Sequence, residues 1–432
     1  MSRTRPSTRP AVRRAVLENG LVVIARENRA SRSITVRLLV EAGAAFDPQD
    51  RAGTAALVAL LLDRGAAGLT AETIAEEFDF LGAGFRAQTR GDWLEVETRL
   101  LSDHLPRLLE RIRLLVEQPA FPEPEVRREK TKILTAIGER DQDTASVAEI
   151  TLAATLFPEG HPYHAPAIGT RATVERIGRD DLMTFHRSRF GPTGGILAIV
   201  GDLDPDRSIE RAAAVFGSWP RSGSGGRRAT IPDPPRPAQP VIVVRPVEGK
   251  TQADIALGIL PGLRRLSPDL PAALVLNSLV GEFSLGGRLG TAIREQAGLA
   301  YYCYSHFEAG LGAGPFVARA GVAPDKVVRA WRMLRRILEG VRRRRPTTAE
   351  IKDSKQALAA SIPRRLETNH AAAAFLADCE FHGLGLDYPE RLPSLIEAVD
   401  RAQVESAADR YLTLGPHALV VAGPSIDEED LR

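Results

Sequence analysis

The sequence predicts an α+β protein made of two copies of one unit. Three observations support this: the length, a break rich in Pro, Gly and Ser near the middle, and the same order of strands and helices on either side of it. A chain of 432 residues exceeds one ordinary domain and suits two or three. Hydrophobic residues are 44% and charged residues 26%, enough for packed cores. With 37 Gly and 30 Pro, collagen-like and low-complexity chains are excluded.

The break is residues 217–240, which hold six Pro, four Gly and three Ser with almost no apolar periodicity. Such a stretch reads as an extended linker that does not pack. It divides the chain into an N-terminal domain, 1–216, and a C-terminal domain, 241–432. The first opens with strand-like runs at Leu21–Ala25 and Ile34–Val40, the second at Val241–Arg245 and Ala253–Leu260. A helix of small apolar residues follows in each, Ala55–Leu62 and Ala272–Val280. Later come long amphipathic stretches such as His104–Val116 and Val327–Val341, with apolar residues at helical spacing.

The formal net charge is only +2, from 57 basic and 55 acidic residues, which argues against a dedicated nucleic-acid binder. Two cysteines, Cys303 and Cys379, support no disulfide framework and read as free thiols in a reducing compartment. The basic N-terminus has no apolar segment behind it that would make a secretory signal. No apolar run is long enough to cross a membrane. A cytoplasmic protein without a membrane partner is the expectation.

Standard catalytic motifs are missing: there is no G-x-S-x-G, Walker loop, G-x-G-x-x-G, C-x-x-C or H-E-x-x-H. Of eight histidines only His161-Pro-Tyr-His164 is close-set, and it reads as a hydrogen-bonded loop rather than a metal site.

The informative stretch is Glu41-Ala-Gly-Ala-Ala-Phe-Asp-Pro, followed by Gly53-Thr-Ala and an apolar run to Leu62. It resembles the signature of the pitrilysin/insulinase family of inverzincin peptidases, a-G-s-x-x-(D/E)-p and then G-x-A-H-x-x-E-H. Further matches follow in register: Leu81-Gly-Ala-Gly-Phe, Gln118-Pro-Ala-Phe-Pro, His161-Pro-Tyr with Ile168-Gly-Thr, and Val200-Gly-Asp. The resemblance covers nearly the whole chain. It implies in each of two homologous domains a mixed, mostly antiparallel sheet packed against helices, the pair of domains making one half of a clam shell that a second subunit completes.

The zinc residues are replaced. The family's first His aligns with Ala56, its general-base Glu with Ala59, its second His with Leu60 and its later Glu ligand with Ala136. Alanine and leucine offer no lone pair to a metal and shuttle no proton, so no zinc and no activated water are expected here. Glu76, Glu77 and Glu139 lie near but bring no histidine with them. The run Ala55–Leu62 is apolar on every face and reads as a buried helix.

The second half keeps something. Phe283-Ser-Leu-Gly-Gly-Arg-Leu, continuing to Arg294 and Ala300-Tyr-Tyr, resembles the family's second-domain motif, with Arg294 and Tyr301 on its Arg and Tyr. A helix through Arg294 ends at Gly298, and a strand runs from Leu299 to Phe307. Gly286 and Gly287 resemble part of the family's glycine-rich loop.

By resemblance, Arg294 and Tyr301 clamp the substrate and stabilise the transition state opposite a zinc ion held by another subunit. The implied protein is the non-catalytic half of a heterodimeric zinc endopeptidase of short unstructured peptides. Its partner is a homologous zinc-bearing subunit. The alternative is a purely structural homologue, like the family's core subunits in a respiratory complex, with no role in proteolysis.

Overall fold

The computed structural model describes residues 12–221, 230–281, 286–424 and 426–432. The chain forms two compact units, each with its own sheet. The described residues up to 132, from 172 to 221 and from 365 to 381 make the first, and those from 133 to 171, from 230 to 364 and from 382 onward the second.

Among the described residues the first unit's main sheet has six strands. Their spatial order is Val12–Val16, Val22–Glu27, Ile196–Gly201, Ser33–Val40, Leu94–Leu101 and Gly84–Thr89. Only Val22–Glu27 and Ile196–Gly201 pair in parallel. The central strand Ser33–Val40 is buried from Ile34 onward, and its one charged residue, Arg37, is buried in ion pairs with Glu95 and Glu97 at 2.9 and 3.3 Å.

The second sheet repeats this pattern. Val241–Pro246 pairs in parallel with Ala418–Gly423. The sheet then continues antiparallel through Ala253–Leu263, Gly314–Val322 and the edge strand Ala300–Phe307. In each unit the first and last strands pair in parallel, the second lies beside the last, and a hairpin completes the sheet. The Val12–Val16 strand is the one addition. The expected architecture of two mixed, mostly antiparallel sheets packed against helices is the one found.

The helices are exchanged between the two halves of the chain. Thr144–Leu156 comes early in sequence but packs on strands Ala253–Leu263 and Ala418–Gly423 of the second unit. Its Ala148, Leu152 and Leu156 join Ala256, Leu260, Val317, Val420 and Ala422 in one core. Gly258 makes that docking close: a Cβ there would lie 2.6 Å from Leu156 Cδ1 and 3.0 Å from Leu152 Cδ1. In the other direction, Asn369–His382 supplies the first unit with Asn369, whose side-chain amide donates to Ser33 O at 2.8 Å. On the same helix Glu380 takes a bidentate pair from Arg14 at 2.9 and 2.8 Å, and Phe381 stacks edge-on with Trp93.

The ends of the 217–240 segment pack after all. Trp219 is buried beside Phe216, with the Arg113 guanidinium 5.4 Å from its ring centre. Ile231 is buried as well, against Gly312. Two large apolar side chains are enough to seat a stretch whose composition predicts none; residues 222–229 lie outside the described part. Cys303 and Cys379 are both buried and form no disulfide. Among the described residues no helix is long and apolar enough to cross a membrane.

Candidate functional site

The helix aligned with the zinc motif, Thr54–Leu61, is short and buried along most of its length. Its N-terminus is held by Asp47, whose two carboxyl oxygens accept from Gly53 N–H at 2.7 Å and Ala55 N–H at 2.8 Å. That satisfies two of the donors a helix start leaves open. The acidic residue of the sequence signature is therefore the cap of this helix.

Burial pushes Asp47 up to about 7, against the pull of the backbone N–H groups of Ala55, Gly53 and Thr54. An unfolded aspartate titrates near 3.9. The folded chain thus binds this proton more tightly than the unfolded chain does. Its stabilising contribution is complete below about pH 4 and is lost as pH rises through about 7. Asp47→Asn cannot titrate and gives up one acceptor, at a cost of about 1 kcal/mol. Urea unfolding of both proteins at pH 4.5 and 7.5 checks this: the wild type's advantage should shrink at the higher pH. A widening gap would mean that the anion is the stabilised form.

Ala56 and Ala59 are buried, at 5% and 2% exposure, whereas Leu60 is 37% exposed. This corrects the expectation of a helix buried on every face. Leu60 stands at an open position, where a metal ligand would have to stand. Ala136 is exposed on the helix Glu123–Arg140 and belongs to the second compact unit. None of the four side chains has a donor atom, so a zinc ion does not fit them. Among the described residues no group of three or more His, Cys, Asp or Glu is placed to hold a metal ion. Glu77 is instead paired with Arg111 at 2.7 Å. His161 Nε2 lies 3.0 Å from Pro232 O while its Nδ1 accepts from Tyr163 N–H, and His164 Nδ1 lies 2.8 Å from Phe157 O. That loop is a set of backbone ties.

Arg294 and Tyr301 sit on consecutive elements of the second unit that pack together. The helix carrying Arg294, Gly290–Gln296, is π-helical rather than α-helical: Ala297 N–H bonds Ala292 O, five residues back, at 3.1 Å. A π-turn widens the helix by one residue per turn and recurs at functional sites. It closes where the sequence places the stop. Gly298 has φ +59°, the left-handed conformation that favours glycine, and its N–H returns to Arg294 O at 3.2 Å.

The following strand contains a bulge at Tyr301. Ala300 pairs with Val322 and Tyr302 with the next residue back, Gly321, so Tyr301 is the extra residue with no partner in the ladder. It is 82% exposed, on an edge strand. Residues 282–285, including Phe283 of the motif, lie outside the described part; Gly287 has φ +73°.

Beneath the bulge lies a group the sequence reading missed. Asp254, 1% exposed, accepts from the hydroxyls of Tyr302 and Thr144, and from Gln252 Nε2 at 3.1 Å. Burial raises Tyr302's pKa, and the hydrogen bond to Asp254 raises it further. Gly321 leaves the space that the Tyr302 ring fills, since a Cβ there would come within 2.5 Å of it. One polar anchor thus fixes Tyr302 next to the bulge that turns Tyr301 outward. The available signal was a lone aspartate inside the apolar run Ala253–Leu260.

Two repeated units, each a mixed sheet with one parallel strand pair and packed helices, define the class of scaffold, and the aligned residues Ala56, Ala59, Leu60 and Ala136 bear no metal-donor atom. Family models agree: residues 22–170 match Insulinase (Peptidase family M16) and residues 176–358 match Peptidase M16 inactive domain. The chain belongs to the insulinase family, M16. It is 27% identical to an uncharacterized zinc protease of Mycobacterium tuberculosis, over 97% of this chain and 94% of the relative. It is 23% identical to the non-peptidase homolog YmxG of Helicobacter pylori, over 88% of this chain and 87% of that one. A crystal structure of a peptidase M16 inactive domain from Pseudomonas fluorescens superposes with TM-score 0.88 at 26% identity, covering 96% of this chain and 98% of that one.

Proposed function

We propose that this chain is the non-catalytic subunit of a cytoplasmic, two-subunit zinc endopeptidase that acts on short unstructured peptides. A homologous subunit brings the metal and the general base; this chain brings Arg294 and Tyr301. The observation that carries the reading is Tyr301, a large phenol left in solvent by a bulge on an edge strand. An exposed aromatic adds nothing to the fold's core, and bulges are built where a side chain must be re-aimed. Edge strands also offer free backbone groups to an extended peptide. A guanidinium and a phenol are suited to hold a peptide carbonyl and the charge that grows on it during attack.

The test is reconstitution. Purified alone, the chain should carry no stoichiometric zinc by elemental analysis and cleave no fluorogenic peptide. Mixed with a zinc-motif homologue encoded beside it, it should co-elute and peptide cleavage should rise at least tenfold over that homologue alone. A chain that holds about one zinc and cleaves peptides by itself would overturn the proposal, as would a homologue equally active without it.

A structural homologue with no part in proteolysis is the second reading, favoured by the donor-free helix and by the relative named as a non-peptidase homolog. It predicts co-elution with no gain in cleavage.

A further inference from the structure

Beside the helix that carries Arg294, whose Thr291 and Ala292 line one side of a cavity, the second unit presents an unpaired basic face. The helix Val327–Arg343 buries Ala330, Leu334, Leu338 and Val341. Its opposite face presents Arg329, Arg332, Arg336 and Arg343, at spacings of three, four and seven residues, and Arg344 follows at the helix end; all five are exposed. At 1.5 Å per residue the row is about 22 Å long. Neighbouring arginines are engaged: Arg335 with Glu339 at 3.7 Å, and Arg342 and Arg345 with Asp409 at 3.1 and 3.2 Å. The five of the row have no acidic or hydrogen-bonding side-chain partner among the described residues.

Next to the row lies this cavity of about 720 Å³, the size of an ordinary ligand site. Leu279, Ile337 and Gly340 give it an apolar wall, and Arg336 and Arg344 stand on its rim with Asp353 opposite. One end is closed by Arg288, which donates to Glu350 at 2.8 and 3.0 Å and to Arg344 O at 3.0 Å. That pair is neutral, so the rim and the row together remain strongly positive.

We infer that this face binds an acidic polypeptide segment in extended form, seating one apolar side chain in the cavity. Charge complementarity selects the anion, and arginine forks suit carboxylates. Nucleic acid fits less well: single strands need exposed aromatic stacking platforms, and the aromatic residue of this helix, Trp331, is 2% exposed. A membrane surface needs apolar side chains flanking the basic ones, and here they face inward.

The test uses the full chain and a fluorescein-labelled peptide of about a dozen Asp and Glu residues with one central Leu, long enough to span the row. Fluorescence anisotropy at low salt should show saturable binding that weakens as salt rises. The double variant Arg336→Glu/Arg344→Glu should weaken it by about tenfold or more. Gly340→Leu probes the cavity, because a Cβ at Gly340 meets nothing within 4 Å and leucine favours a helix. It should weaken the Leu probe and spare a Leu→Ser probe, with the melting temperature of both variants unchanged.

The inference is overturned if the wild type shows no saturable binding, or if the charge reversal leaves binding intact. It is equally overturned if Gly340→Leu has no effect, since the cavity would then take no side chain. Tighter, stripe-dependent binding of a single-stranded oligonucleotide or of phosphatidylglycerol vesicles would identify a general polyanion surface instead.

Discussion

Tyr301→Phe in the reconstituted heterodimer should lower kcat and kcat/KM by about 10²–10³, the usual effect of removing one preorganised oxyanion donor. The substitution takes away one hydroxyl from a side chain that is 82% exposed, so assembly and stability should not change. Arg294→Lys tests the other half of the clamp. Lysine keeps the charge and loses the fork, so a comparable loss would mean that geometry matters as much as charge. The readout is steady-state cleavage of a fluorogenic peptide, with zinc content and elution volume measured on the same samples. Equal falls in kcat and kcat/KM place the loss in the transition state, whereas a rise in KM alone means ground-state binding. Wild-type rates in both variants, with the heterodimer intact, would move the structural reading ahead.

The largest stability effect is expected at Asp254. Asp254→Ala leaves the buried hydroxyl of Thr144 and the part-buried hydroxyl of Tyr302 without their acceptor, at about 1–3 kcal/mol for each such group, so a total of roughly 2–6 kcal/mol is expected. Tyr302→Phe removes one donor and leaves Asp254 with Thr144 and Gln252, so its cost should be about 1–2 kcal/mol. Urea denaturation of the two single variants and the double variant gives the coupling, which must be non-zero for groups sharing one hydrogen bond. Asp254→Ala within 0.5 kcal/mol of the wild type would mean that the network contributes nothing beyond solvation.

Much of this architecture is legible in periodicity. The amphipathic stretch from Val327 was placed to within two residues at its far end, and Ile34–Val40 to within one at its start. Length and apolar spacing decide such elements locally. The exchanged helix Thr144–Leu156 is not legible, because an apolar face says that something must cover it and not which sheet does so. The π-turn around Arg294 and the bulge at Tyr301 each shift the pattern by one residue, too little to break a helical or alternating signal. Leu60 shows the reverse limit: an apolar residue type carries no mark of exposure. That Ala56, Ala59, Leu60 and Ala136 offer no donor atom is read from residue type alone, because lone pairs do not depend on conformation.

The exchange of helices has a consequence for synthesis. Leu152, Leu156 and Phe157 leave the ribosome long before the strand Ala418–Gly423 that helps to bury them exists. At 5–20 residues per second that interval is roughly 15–50 s. Throughout it a nascent chain presents an apolar helix with no sheet to meet. The yield of folded protein therefore depends on whatever shields those side chains in the meantime, and a slower ribosome lengthens the risk.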